Sequence, residues 1–127
     1  MVNTAPVILV VEDEPLLRID TVDMVEDEGF RTLEASNSRA ALAMLEQHPE
    51  ISVLCTDIDM PGEMDGLVLA QEVRRRWPEI AIVVVSGYRR PADGELPDPG
   101  RFVPKPYVKA AIIQALKDMI GVVPRAS

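Results

Sequence analysis

Hydrophobic positions along this chain fall into two alternating kinds of segment. Val7-Ile8-Leu9-Val10-Val11, Ile51-Ser52-Val53-Leu54-Cys55 and Ile80-Ala81-Ile82-Val83-Val84-Val85 are short, rich in β-branched residues and nearly free of charge. Such runs are expected of strands buried on both faces. Weaker strand signals lie at Arg31 to Ala35 and at Arg101 to Pro104. The segments between them carry helical periodicity. Pro15 suits the first position of a helix, with Leu16, Ile19 and Val22 following on one face. Asn37 or Ser38 can cap a second helix that turns Ala41, Leu42 and Leu45 inward and breaks at Pro49. A third is predicted from about Gly66 to Trp77, with Leu67, Ala70 and Val73 inward and Pro78 ending it. The last runs from about Tyr107 to Ile120 and buries Ala111, Ile112 and Leu116.

Strand and helix alternating in this way predict an α/β fold, a doubly wound parallel sheet with helices on both faces. One stretch departs from the rhythm. Between Ser86 and Phe102 lie Gly87, Pro91, Gly94, Pro97, Pro99 and Gly100. Proline inside a helix costs about 3 kcal/mol and glycine about 1. A loop with at most a short helical turn is expected there, which makes the fourth helix short or irregular.

Length and charge narrow the picture. The 127 residues suit one domain, 1–127, with its core at about 6–120, and 47% hydrophobic content allows a proper interior. Thirteen basic against twenty-one acidic residues give a net charge of −8, which argues against direct nucleic-acid binding. Cys55 is the single cysteine, so neither an internal disulfide nor a multi-cysteine zinc site is available. Met1 to Pro6 shows no signal-peptide pattern, and no apolar stretch approaches the roughly 20 residues needed to span a bilayer. A cytoplasmic protein without membrane insertion is expected.

In open parallel sheets, sites form beyond the carboxyl ends of the strands. Strand 1 ends in Glu12-Asp13-Glu14, strand 3 in Thr56-Asp57-Ile58-Asp59, strand 4 in Ser86-Gly87 and strand 5 in Lys105-Pro106. A parallel sheet brings these clusters to one edge. Carboxylates about 4 Å apart repel by roughly 4 kcal/mol at an effective dielectric near 20, so such a nest needs a counter-ion. A hard divalent cation and the Lys105 ammonium can supply it, while the Ser86 hydroxyl can donate to a bound oxyanion. A carboxylate can also act as a covalent nucleophile and form an acyl phosphate. These parts point to phosphoryl transfer, in which positioning and charge neutralisation are most of the protein's task.

Val10-Val11-Glu12-Asp13-Glu14, Asp57-Ile58-Asp59-Met60-Pro61 with Met64-Asp65-Gly66, Val85-Ser86-Gly87 and Lys105-Pro106 closely resemble the receiver domains of two-component response regulators. The resemblance covers about residues 6 to 120. It implies a five-stranded flavodoxin-like sheet of order 2-1-3-4-5. It further implies that Asp57 is the phosphoacceptor and that Mg²⁺ is held by Asp13, Asp57 and the Asp59 backbone carbonyl, with Glu12 acting through water. Ser86 and Lys105 would hold the phosphoryl oxygens, and Phe102 falls at the aromatic switch position. The implied donor is a sensor histidine kinase or histidine phosphotransfer protein, and the output is contact with a downstream protein. No enzyme activity is expected beyond self-catalysed transfer and slow autodephosphorylation.

Three departures from the family pattern stand out. The turn Met60-Pro61-Gly62-Glu63-Met64-Asp65-Gly66 is one residue longer than usual. Phe102 lacks a hydroxyl, so any switching there works by packing. The Pro/Gly-rich stretch replaces most of the fourth helix; around Ser86-Gly87-Tyr88 the chain is similar to a subfamily of output-less receivers with an irregular fourth helix.

Other residues have plainer readings. Cys55 alternates with Asp57 on a central strand and is expected to be a small buried side chain. His48 suits a helix end, where a cation complements the dipole. Trp77 is expected to pack at the end of the third helix, and Arg74-Arg75-Arg76 to form a solvated face. Asp57-x-Asp59 followed by Gly62 fails as a calcium loop, because Pro61 takes a ligand position and Val68 stands where the bidentate Glu belongs. The same pair is similar to the nucleophile and acid of haloacid-dehalogenase-type phosphatases, the alternative reading. In those enzymes the motif ends the first strand, and a second acidic pair follows the lysine. Here only Asp118 follows Lys105. A histidine phosphotransfer bundle does not fit so evident a set of strands.

Overall fold

The three strongest apolar runs form the middle of the sheet. In the computed structural model, which describes residues 5–60, 64–86, 91, 96, 100–104 and 109–120, β1 (Val7–Val11), β3 (Ile51–Asp57) and β4 (Ala81–Ser86) lie side by side, with β2 (Arg31–Ala35) and β5 (Gly100–Pro104) at the edges. All pairings are parallel and the order is β2-β1-β3-β4-β5. Burial follows the order: β1 and β4 are buried at every position, whereas the edge strands β2 and β5 bury only Ala35 and Val103 fully.

Successive residues of a strand face opposite sides of the sheet, and two cores result. Leu9, Val11, Leu54, Ile82 and Val84 meet α2 (Ser38–Gln47) and α3 (Gly66–Arg76) on one face. Ile8, Val10, Val53, Cys55 and Val83 meet α1 (Pro15–Asp27) and α4 (Lys109–Ile120) on the other. The doubly wound fold expected from the sequence is therefore present, and Cys55 is a buried free thiol within the second core.

Caps place the helices. Asn37 accepts from the Ala40 N–H at 2.8 Å, and Asp65 accepts from the Leu67 and Val68 N–H groups at 2.9 and 3.0 Å. Each thereby satisfies first-turn donors that a helix leaves unpaired. Pro15 stands in the first turn of α1, where Glu14 accepts from Leu17 N–H. The inward face of α1 differs from expectation. Leu16 and Ile19 are 75% and 52% exposed; of the expected face only Val22 is buried, together with Thr21, Met24 and Val25. Its first turns leave Leu16 and Ile19 exposed; the later turns pack on the sheet.

Two smaller expectations are adjusted. β3 continues through Thr56 and Asp57, because the ladder with β4 extends to Asp57 opposite Val85. The last helix starts at Lys109 among the described residues, with Ala115 and Met119 joining Ile112 and Leu116 in the core and Ala111 partly buried. Most of the expected loop between Ser86 and Phe102, the lengthened part of the turn at residues 61–63, the Ser86-Gly87-Tyr88 similarity beyond Ser86, and Lys105-Pro106 lie outside the described residues.

Candidate functional site

The register sets which strand ends meet. Val11 pairs with Thr56, Asp57 with Val85, and Ser86 with Pro104. Glu12 therefore emerges beside Asp57, and Ser86 emerges one residue beyond it on the other side. Glu12, Asp13 and Asp57 each bring a carboxylate oxygen within 4.8 Å of the others. Glu12 and Asp57 are 7% and 6% exposed, whereas Asp13 faces solvent. Three carboxylates so close, two of them buried, fit a hard divalent cation: oxygen donors, few in number, with an open side for water.

The backbone around Asp57 is tightly fixed. Ile58 N–H donates to the Val85 carbonyl at 2.9 Å, which prolongs the sheet by one bond past Asp57. Asp59 N–H donates to Asp57 Oδ1 at 3.0 Å, orienting the carboxylate. Gly66, the first residue of α3, donates to the Ile58 carbonyl at 3.0 Å. A Cβ there would lie 2.0 Å from the Asp57 carbonyl oxygen. Only a residue without a side chain allows α3 to start against the end of β3. Sequence reasoning quoted this glycine in its motif but gave it no task. Glycine at the first helical position, where it has no conformational advantage, was the available signal.

The neighbouring loops are tied as well. Glu12 Oε2 accepts from Glu14 N–H at 3.2 Å, and Glu12 N–H donates to the Ala35 carbonyl at 3.1 Å. Arg18, on α1, donates through Nη1 to the Glu12 carbonyl at 2.9 Å and pairs through Nε with Glu34 at 3.2 Å. The end of β1 is thus clamped from both sides by a residue that the sequence pattern did not single out.

Ser86 is 2% exposed, and its hydroxyl donates to Asp59 Oδ2 at 2.5 Å. Asp59 was expected to matter through its carbonyl; its side chain proves to be engaged too. Phe102 pairs with Val84 in the sheet and packs, partly buried, against the core beneath α2 and α3. Lys105 follows Pro104 in sequence and lies outside the described residues. Asp118 is remote from the strand carboxyl ends: it pairs with Arg101, near the start of β5, at 3.1 Å. His48 closes α2 and contacts Glu50 at 3.3 Å. The Glu50 carboxyl is held below its ordinary range, first by its own backbone N–H and then by His48. Arg75 and Arg76 pair with Glu72 and Glu46, and the Arg76 guanidinium lies 4.4 Å from the Trp77 ring centre, while Arg74 donates to the Pro78 carbonyl, so the run is held by its own neighbours.

The family model for the response regulator receiver domain matches residues 8–117. This chain belongs to that family. Receiver domains of two-component systems are signalling modules, and this chain is one of them. Among its relatives is the sensor kinase CckA of Brucella abortus (strain 2308), 33% identical over 117 residues, covering 89% of this chain and 12% of that kinase. The chain thus spans only a small part of that relative. Another is the response regulator receiver protein CpdR of the same strain, 29% identical over 116 residues and matched over 89% of this chain and 95% of its own length. The crystal structure of a response regulator receiver protein from Sinorhizobium medicae WSM419 superposes with a TM-score of 0.85 at 29% identity, covering 92% of this chain and 95% of that one. Among the described residues no helix is long and apolar enough to cross a membrane.

Proposed function

We propose that this chain, as a single receiver domain over residues 1–127, accepts a phosphoryl group on Asp57 in a Mg²⁺-dependent reaction. The donor is the phosphohistidine of a sensor histidine kinase or histidine phosphotransfer protein. The observation that carries the reading is the carboxylate cluster: Glu12, Asp13 and Asp57 within 4.8 Å, with Asp57 buried at the end of a central strand. An Asp57 oxygen attacks phosphorus, the bond from phosphorus to the histidine nitrogen breaks, and an acyl phosphate forms on Asp57. Asp13, Asp57 and the Asp59 carbonyl would hold Mg²⁺, with Glu12 reaching it through water. Bound there, the ion would neutralise charge on the phosphoryl oxygens. Ser86 donates its hydroxyl proton to one of those oxygens, and Lys105 supplies positive charge to another. Phe102 repacks as Ser86 moves, and a downstream protein reads the altered surface.

The chain's own activity is this transfer and the slow hydrolysis of the acyl phosphate to the free Asp57 carboxylate and inorganic phosphate. It works in the cytoplasm, without contacting nucleic acid or inserting into a membrane. The phosphatase alternative is weaker, because Asp57 ends the third strand and Asp118 is committed to Arg101. Asp57→Asn tests the proposal. It keeps the shape and an oxygen for the Asp59 N–H but removes the nucleophile. Labelling by acetyl phosphate in Mg²⁺ should vanish; undiminished labelling would place the acceptor elsewhere.

A further inference from the structure

Asp59 meets the site through its backbone and through its carboxylate, and the carboxylate has no part in the chemistry described so far. Its N–H holds Asp57 Oδ1 at 3.0 Å, while its carboxylate accepts the Ser86 hydroxyl at 2.5 Å. One residue therefore links the acceptor carboxylate to the hydroxyl on the next strand, 27 positions away in sequence. A serine hydroxyl has one proton to donate. Its distance to Asp59 is that of a charge-assisted hydrogen bond, roughly twice as strong as a neutral one. Ser86 is 2% exposed, so this proton has little access to water as a substitute partner.

We propose that the Asp59 carboxylate is a latch on Ser86: it occupies the hydroxyl that a phosphoryl group on Asp57 needs and must release it before the phosphorylated state can form fully. This rests on the reading of Asp57 as acceptor. In the resting state Asp59 ties the end of β4 to the segment after β3. On phosphorylation the Ser86 proton stays on its oxygen but changes acceptor, from the Asp59 carboxylate to a phosphoryl oxygen. The Asp59 side chain then loses its partner and faces a neighbouring anion of the same sign, so it turns away from the site. Asp59 is half-buried and can turn toward solvent. The latch opposes the phosphorylated state twice, by competing for the donor and by like charge. It tunes how far the equilibrium runs and leaves the nucleophile untouched.

Beryllofluoride, a mimic of the phosphoryl group on Asp57, provides the test at saturating Mg²⁺, with affinities measured by calorimetry. Asp59→Ala should raise affinity about tenfold, the scale expected for losing a hydrogen bond to a charged group. Asp59→Asn keeps an oxygen that Ser86 can reach and should raise it by a smaller factor. In a Ser86→Ala background no hydroxyl remains to be released, so Asp59→Ala should gain at least threefold less than it does beside Ser86. An equal gain in both backgrounds would assign the effect to charge alone and overturn the latch. Unchanged or weaker binding in Asp59→Ala, with the unsubstituted chain labelled on Asp57 as expected, would overturn the latch and leave the acceptor reading intact. Failure of the unsubstituted chain to bind the mimic or take up label would overturn both together.

Discussion

Replacing Gly66 by alanine separates the local preferences of the chain from the demands of the site. By helix propensity the change should help: alanine is favoured over glycine by up to about 1 kcal/mol inside a helix, and by less at the first position. The surroundings predict the opposite sign. The new Cβ would stand 2.0 Å from the Asp57 carbonyl oxygen and 2.7 Å from both Asp57 C and Ile58 Cα, all backbone atoms that cannot rotate aside. Relief requires α3 and the end of β3 to part by about 1 Å, the shortfall from the 3.0 Å below which real Cβ contacts are essentially absent. Overpacking of this kind costs about 1–3 kcal/mol. The Gly66 N–H bond to the Ile58 carbonyl, 3.0 Å long, is stretched by the same movement and forfeits about 1 kcal/mol. The net expectation is a destabilisation of about 2–3 kcal/mol. For a chain of this size that lowers Tm by about 8–12 °C. Urea unfolding followed by the fluorescence of Trp77, with circular dichroism for Tm, measures it. Gly29→Ala is the control: its φ of +93° penalises alanine, but its Cβ meets nothing within 4 Å, so about 1 kcal/mol is expected. A Gly66→Ala protein as stable as the parent would refute the close approach and the account of α3 built on it.

Two further outcomes follow from the carboxylate cluster. Asp13→Ala removes one donor from a site with few, and Mg²⁺ affinity by calorimetry should fall at least about tenfold; unchanged affinity would mean that the ion binds elsewhere. In magnesium-free buffer Asp57→Asn should unfold at higher urea than the parent by about 1–2 kcal/mol. Unit charges 4.8 Å apart repel by about 3 kcal/mol at an effective dielectric near 20, and exposure of Asp13 reduces the gain. A variant less stable than the parent under those conditions would show that the cluster is not strained by its own charge.

What the sequence disclosed about the fold follows from where burial is complete. β1 and β4 are buried at every position and, Ser86 apart, apolar throughout, and they were legible for that reason. β3 was read two residues short because Thr56 and Asp57 look like a strand end, yet both are buried and the ladder reaches Asp57. Polar residues that belong to a strand for the sake of a site break the pattern that betrays strands. The facing of α1 failed for a related reason. Leu16 and Ile19 have the spacing of a core stripe, but both are exposed, and the burial of α1 is confined to Thr21, Val22, Met24 and Val25. Periodicity reports which residues share a face and is silent on whether that face meets anything.

The site was legible for the same reason that its fold was. A parallel sheet places every strand's carboxyl end on one edge, so Glu12, Asp13, Asp57 and Ser86 could be gathered from strand order before any distance was known. The contacts that tune the site could not. The approach of Gly66 to Asp57, the Arg18 clamp on Glu12 and the bond from Ser86 to Asp59 depend on how the segments beyond the strands fold back over the edge. Strand periodicity stops where those segments begin. An acid two residues past the acceptor and a hydroxyl at the next strand's end are each ordinary on their own. What makes them a pair is the register that sets Asp57 opposite Val85, so that Ser86 emerges one residue beyond and within reach of Asp59.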